Sequence, residues 1–467
     1  MKFKRFFVTW GILLASLSGA FAVLFNGSLM NVALPYFTNL YKINTVTGQW
    51  IITAFPLAMA ITMPLIGYLQ KKMGDRPLYL TGSFIFTFGS IAGSFSWDLY
   101  SLIFFRSIQG FGAGLIMPLT MVFIFKYFPS AKRGFIMGIW GVVGMIAPTI
   151  GPTISGSFLN INLWQGLFFI NLPIITLTIV FSFLYIPNEK EKIMKSTKFD
   201  VLGYTFLTLS LICILVGANM GNSNVNNSPL GYYIIVSGII LLIVFCIIQF
   251  RVKNPLLDLS VFKNLSFTIS LLILAASTIS LYSVILFIPI YLQEIMQLSP
   301  LIAGLILLPQ ALFMGISMTI GGKLLDLKGP KVVLLTGLLS LSVVTYVLSY
   351  SLTTYSLVTV VVILIIQGFC NGLINTPATT LGLNSLSSKL LTAGSTINNL
   401  WRQLVKVFSV LLLTIYYEFK ITPYPGNPQD HVNTKIHALS GTLQVVALII
   451  ILCVPLTFIL KKNKEEN

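Results

Sequence analysis

Fourteen apolar stretches, each long enough to cross a lipid bilayer, leave a membrane as the only solvent in which this chain can fold. A transmembrane helix needs about 20 apolar residues, and such stretches lie at 9–37, 48–69, 77–97, 99–125, 134–158, 164–186, 199–219, 231–250, 265–292, 300–325, 331–352, 355–382, 393–417 and 437–460. The longest hydrophilic segments between them, 187–198, the Asn-rich 221–229 and 420–435, have no room for a soluble enzymatic domain. With 56% of its 467 residues hydrophobic and 9% charged, the chain lacks the polar surface that a water-soluble protein of this size needs. The fold class expected is an all-α membrane protein of about fourteen spans.

Charge fixes the expected orientation. The net charge of +17 does not point to nucleic acid, because the basic residues sit in short clusters between apolar stretches rather than in one domain. With the N-terminus placed in the cytoplasm, the inner loops hold most of the lysines and arginines, while the outer loops hold only Lys42, Lys420 and Lys435. Such asymmetry predicts that both termini are cytoplasmic. The basic start followed by an apolar run resembles a signal peptide, but no small-residue cleavage site closes it, so it reads as a retained first helix. The four cysteines lie in apolar runs without metal-ligand spacing, so no metal, disulfide framework or cofactor is expected.

An internal repeat sets the architecture. The segment from Ile108 to Ile116, IQGFGAGLI, matches IQGFCNGLI from Ile366 to Ile374 in seven of nine positions, an offset of 366 − 108 = 258. An offset of 322 − 67 = 255 relates GYLQKKMG, from Gly67 to Gly74, to GKLLDLKG, from Gly322 to Gly329. Two parallel six-helix halves follow, 1–186 and 265–467, joined by 187–264, a cytoplasmic linker with two extra helices. Duplicated halves about an axis along the membrane normal are the plan expected of a major facilitator fold, with substrate bound at the midplane between the repeats.

Several motifs, in order along nearly the whole chain, carry a more specific resemblance. They are Asn31-Val-Ala-Leu-Pro35 in the first span; Gln49, Trp50 and Thr53; the Gly67, Leu69 and Gly74 hairpin; Arg106, Gln109 and Gly110; Ala147 to Gly156 (APTIGPTISG); Trp164, Phe168, Asn171 and Pro173; and, in the second half, Arg402 and Gln403. Together they resemble the fourteen-span drug:proton antiporters of the major facilitator superfamily. That resemblance implies a multi-pass transporter in a bacterial cytoplasmic membrane. It is expected to act as a monomer among lipids, without nucleic acid, exporting small amphipathic molecules by alternating access in exchange for protons. A lipid or peptide translocator, an uncoupled facilitator and a non-transporting sensor stay open as alternatives.

The expected site residues fall into four sets. In-span amides and cations, costly in lipid unless they meet a partner or water, suggest a polar cavity: Asn26, Asn31, Arg106, Gln109, Asn171, Gln310, Asn371, Asn375, Asn398 and Arg402. Arg106 either faces such a cavity or snorkels outward beside Asp98. Lys406, one turn beyond Arg402, either lines the cavity or reaches its aqueous end. Gating hairpins are expected at Gly67, Lys71, Gly74 and Asp75, where the acid and the cation look swapped relative to the family and leave a Lys71–Asp75 pair open, and at Gly322, Asp326 and Gly329. Gly141, Pro148, Gly151, Pro152 and Gly156 correspond to the exporter Gly-Pro motif, equally readable as plain small-residue packing. Proton coupling normally uses an intramembrane carboxylate. The first-span position where the family commonly has Asp holds Asn26, leaving Arg106 with the peripheral acids Glu294 and Asp98 as candidates.

Overall fold

The computed structural model describes residues 2–188, 199–221, 230–252, 255–353, 356–421 and 428–460. Every predicted span is helical there: α1 (Lys2–Tyr41), α2 (Thr45–Thr62), α3 (Asp75–Ser94), α4 (Leu99–Tyr127), α5 (Ser130–Asn160), α6 (Asn171–Tyr185), α7 (Val201–Gly221), α8 (Leu230–Arg251), α9 (Leu265–Ile290), α10 (Pro300–Lys328), α11 (Pro330–Ser351), α12 (Leu357–Asn384), α13 (Leu391–Ile421) and α14 (Pro428–Leu452). Short helical segments extend four of them: Ile66–Met73 beyond α2, Gly166–Phe169 before α6, the π-helical turn Tyr291–Ile295 beyond α9 and Leu456–Ile459 beyond α14. The basic linker residues Lys190, Lys192, Lys195 and Lys198, most of the Asn-rich segment, and Lys461, Lys462 and Lys464 lie outside the described residues.

Local sequence explains where helices start. Side-chain oxygens of Asn44, Asp98, Asn264, Ser299 and Ser356 each accept a backbone N–H in the first turn of the helix that follows, which satisfies a donor that no intrahelical carbonyl can reach. Gly74 and Gly329 precede α3 and α11 with φ of 84° and 82°. L side chains rarely adopt that conformation, which is why both copies of the hairpin repeat end in glycine.

Among the described residues, twelve spans are long and apolar enough to cross a membrane. The other two helices, α3 and α13, fall short for a visible reason. Small and polar residues lower the hydropathy of both: α3 buries Gly82, Ser83, Gly89, Ser90 and Gly93 on one face, and α13 carries Asn398, Asn399, Arg402 and Lys406. On the opposite face of α3, Phe84, Phe88 and Ile91 are exposed at helical spacing, with Phe95 exposed just beyond its end, a face suited to lipid tails.

The chain forms two compact units. Unit 1 comprises 1–128, 147–263 and 387–400, and unit 2 comprises 129–146, 264–386 and 401–467. The two extra helices therefore belong to unit 1, where Ser210 on α7 donates to the Gly238 carbonyl on α8 at 2.8 Å and α7 also packs on α2. Helix α5 contributes its first half to unit 2 and its second half to unit 1, and α13 does the reverse. The core of unit 1 gathers Phe25, Leu29, Phe37, Trp164 and Phe168; that of unit 2 gathers Phe287, Tyr291, Leu338, Leu364 and Leu443.

Candidate functional site

The repeat seen in the sequence recurs as one packing device in each unit. Helix α4 crosses α2 so closely that a Cβ on Gly110 would run into the Phe55 carbonyl oxygen, and one on Gly114 would sit 2.6 Å from that of Met59. In unit 2, α12 crosses α10 in the same way, with Gly368 against the Gln310 carbonyl and Gly372 against that of Met314. Such i, i+4 glycines let helices pack backbone to backbone in lipid, where no hydrophobic force brings them together.

That close approach assembles a polar network in unit 1 from five helices. Arg106 and Gln109, one turn apart on α4, face Asn26 on α1, Ser90 on α3 and Asn171 on α6, and all five are fully buried. The Arg106 guanidinium donates from Nη1 to Gln109 Oε1 at 2.9 Å and from Nε to the Ile51 carbonyl at 3.3 Å, and lies 4.7 Å over the Phe55 ring. It therefore turns into the bundle rather than outward beside Asp98. Among the described residues no carboxylate pairs with it.

The hydrogen bonds have one direction. Ser90 donates to the Phe86 carbonyl, so its oxygen accepts Gln109 Nε2 at 2.8 Å, which aims Gln109 Oε1 at Arg106. The same oxygen accepts Asn26 Nδ2 at 3.5 Å, and Asn26 Oδ1 accepts Asn171 Nδ2 at 3.2 Å. Asn171 Oδ1 is left buried without a partner, an acceptor suited to an ordered water.

Unit 2 carries the neutral counterpart. Gln367, offset by 258 from Gln109, donates to Ser280 Oγ at 3.0 Å and accepts Gln310 Nε2 at 2.7 Å; Leu364 stands where Arg106 stands in unit 1. Further along α12, Asn371 accepts from Ser277 Oγ at 2.8 Å. Arg402 donates to Asn375 Oδ1 at 3.0 Å and to Thr379 Oγ1 at 2.6 Å, and Lys406 lies over Tyr282 at 5.4 Å. Asn398 is buried in unit 1, whereas Asn31 is exposed and joins neither network.

The gating hairpins differ from expectation in one respect. Asp75 does not pair with Lys71. It is buried at the start of α3, where it meets Lys126 at 3.0 Å and accepts from Gln70 Nε2, while Lys71 stays exposed. Gln70 also accepts the Thr392 hydroxyl at 2.6 Å. In the second copy the Asp326 carboxylate accepts the backbone N–H groups of Gly134 and Phe135, at 3.0 and 2.9 Å, near the start of α5, where the helix dipole favours a negative charge. Asp326→Ala, which removes two charge-assisted bonds, is expected to cost about 2 kcal/mol, and Asp326→Asn about half of that; thermal melts in detergent check both.

The Gly-Pro segment serves both units by close packing. Gly141 lies against Met318 of α10 in unit 2, Gly151 against Ser28 of α1 in unit 1, and Gly156 has open space around it. Helix α5 runs unbroken through Pro148 and Pro152. The two peripheral acids are occupied. Glu294 pairs with Lys435 at 2.6 Å. Asp98 caps α4, and the Ser101 backbone N–H, with its hydroxyl, holds that carboxylate below the usual range, so it stays charged at neutral pH. Sequence reasoning missed Ser90, Phe55 and Thr379, which carry no motif of their own. The repeat did mark Gln367, as the offset partner of Gln109.

Two repeated bundles of helices, most of them long and apolar enough to cross a membrane, each with a buried polar network at a glycine crossing, define the class: a polytopic membrane protein. A sequence profile of the Major Facilitator Superfamily matches residues 16–410. The uncharacterized MFS-type transporter YhcA of Bacillus subtilis is 31% identical over 92% of this chain and 82% of its own length. The lincomycin resistance protein LmrB of Listeria monocytogenes is 30% identical over 84% of this chain and 83% of its own. The crystal structure of the human organic anion transporter MFSD10 superposes with a TM-score of 0.63 over 97% of this chain and 99% of the other, at 14% identity, a likeness of fold alone. The chain belongs to the major facilitator superfamily.

Proposed function

We propose that this protein exports amphipathic small molecules across a bacterial cytoplasmic membrane, as a monomer with both termini inside, by alternating access. The observation that carries this reading is the buried Arg106–Gln109–Asn26–Asn171 network. Polar groups at membrane depth are expensive and usually mark a substrate or ion path. The Gly-Pro segment of α5 and the similarity to LmrB support export.

Proton antiport is the coupling that the family resemblance implies, but uncoupled carriage has a specific observation in its favour. Within the fourteen helices, every acid among the described residues lies in a first or last turn: Asp75, Asp326, Glu418 and Asp430. Glu294, just beyond α9, is held by Lys435.

The test is expression in an efflux-deficient host challenged with neutral, anionic and cationic amphiphiles, lincomycin among them. The inhibitory concentration of at least one class should rise fourfold or more, and the rise should vanish in Arg106→Gln. No rise for any class, and no flux in proteoliposomes, would favour the sensor alternative; flux of a phospholipid or peptide alone would favour a translocator.

A further inference from the structure

Three observations in unit 2, apart from the Arg106 network, meet on α13. The first is depth. Lys406 is the middle residue of Leu391–Ile421, with 406 − 391 = 15 residues before it and 421 − 406 = 15 after it. At 1.5 Å per residue about 22 Å of helix separates it from either end, too far for a lysine to snorkel to a headgroup layer. The second is direction. Lys406 is exposed, yet the exposed apolar residues beyond it, Leu412, Ile415 and Phe419, fall roughly 180–240° around α13 from it at 3.6 residues per turn. That apolar side suits lipid tails. Lys406 opens onto the other side, and a charge at this depth persists only beside water or a polar partner.

The third is company. Among the described residues no carboxylate lies within ion-pair distance of Lys406, whose ammonium sits 5.4 Å from the centre of the Tyr282 ring. One turn back, Arg402 is half-buried and its guanidinium donates to Asn375 Oδ1 and Thr379 Oγ1, neutral acceptors that fix its orientation. Two cations four positions apart on one helix repel each other, and an anion beside both relieves that cost. We infer that Lys406 and Arg402 form a subsite for the acidic head, sulfonate or carboxylate, of an amphipathic cargo, with Tyr282 against its adjoining apolar part. The guanidinium is a fork held in place by α12, and the ammonium is a point charge on a flexible stem. This rests on the transport reading above and deepens it by naming the chemical group that unit 2 holds.

The experiment compares two probes that share a tail, 11-(dansylamino)undecane-1-sulfonate, charged at every working pH, and the neutral 11-(dansylamino)undecan-1-ol. Each is titrated onto the full chain in phosphatidylcholine nanodiscs, with energy transfer from tryptophan to the dansyl group as the signal and empty nanodiscs as the blank. The sulfonate should bind at least tenfold more tightly than the alcohol. Lys406→Gln should shrink that advantage to threefold or less, and Lys406→Arg should keep it. Lys406 is exposed, so neither change threatens the fold, which melts of both variants verify. Arg402→Lys, which keeps the charge but loses the fork, should retain part of the advantage.

Equal affinities for the two probes, or an advantage that survives Lys406→Gln, would overturn the subsite. So would an advantage that vanishes when phosphatidylglycerol is added to the nanodisc, because the cations would then serve a lipid headgroup rather than cargo. Sulfonate efflux from proteoliposomes separates this inference from the transport reading. Efflux above protein-free vesicles that Lys406→Gln leaves unchanged would keep transport and sink the subsite, whereas tight, Lys406-dependent binding without any efflux would keep the acid-binding site and sink transport.

Discussion

Gly110→Val and Gly368→Val will each prevent their unit from closing. A side chain at either position drives straight into a backbone carbonyl, that of Phe55 or of Gln310. A flexible side chain can turn aside from an added methyl, but a carbonyl inside a continuous helix moves only if the helix moves. Overpacking a core costs about 1–3 kcal/mol where side chains can adjust; against backbone the expected cost is about 3 kcal/mol or more, with separation of α2 from α4 or of α10 from α12. Gly156→Ala is the matched control, because nothing lies within 4 Å of its added Cβ, and it should change stability by less than about 0.5 kcal/mol. Thermal unfolding followed by size-exclusion chromatography in detergent separates these cases. Equal melting points for Gly110→Val and Gly156→Ala would show that the close crossing is not what holds α4 to α2.

Much of this architecture is written in run lengths and spacing. Apolar runs longer than a bilayer crossing permit little but transmembrane helices, and the IQGF repeat predicts the two matching crossings that the glycines make. Hydropathy is weakest for α3 and α13, because their small and polar residues go to neighbours. The polar network was legible only as a set of isolated costs: Asn26, Arg106, Gln109 and Asn171 each stand out as polar groups in lipid-length runs, but nothing in one dimension says that they touch. Asn31, only five positions from Asn26, is exposed, because a helix turns through 3.6 residues and the two fall on different faces. Ser90 was invisible, since a serine in a Gly/Ser-rich helix usually bonds only to its own backbone. The Lys71–Asp75 pairing failed because the chain reverses through the left-handed Gly74 between them, which points Asp75 inward to Lys126.

The direction of the hydrogen bonds leads to a comparison between the two halves. Gln109 is the single acceptor shared by a buried guanidinium and Asn26, whereas Gln367 at the equivalent position accepts from a neutral amide. Both glutamines donate to a buried serine. Replacing each with leucine keeps the approximate volume and removes the polar group, so packing losses are similar and the difference isolates the charge. Gln109→Leu strands part of a buried guanidinium and should cost about 3 kcal/mol, because a hydrogen bond to a charged group contributes about 1.5–3 kcal/mol and the orphaned donor stays in a low dielectric. Gln367→Leu should cost about 1–2 kcal/mol, the range for a neutral pair left unsatisfied. Transport should follow the same order, with Gln109→Leu lowering flux at least tenfold more than Gln367→Leu, because only the first leaves Arg106 free to swing from its place over Phe55. Parallel melts and flux measurements on both variants decide this. Equal losses would mean that the charge on Arg106 is already compensated elsewhere and that the two networks are equivalent structural braces.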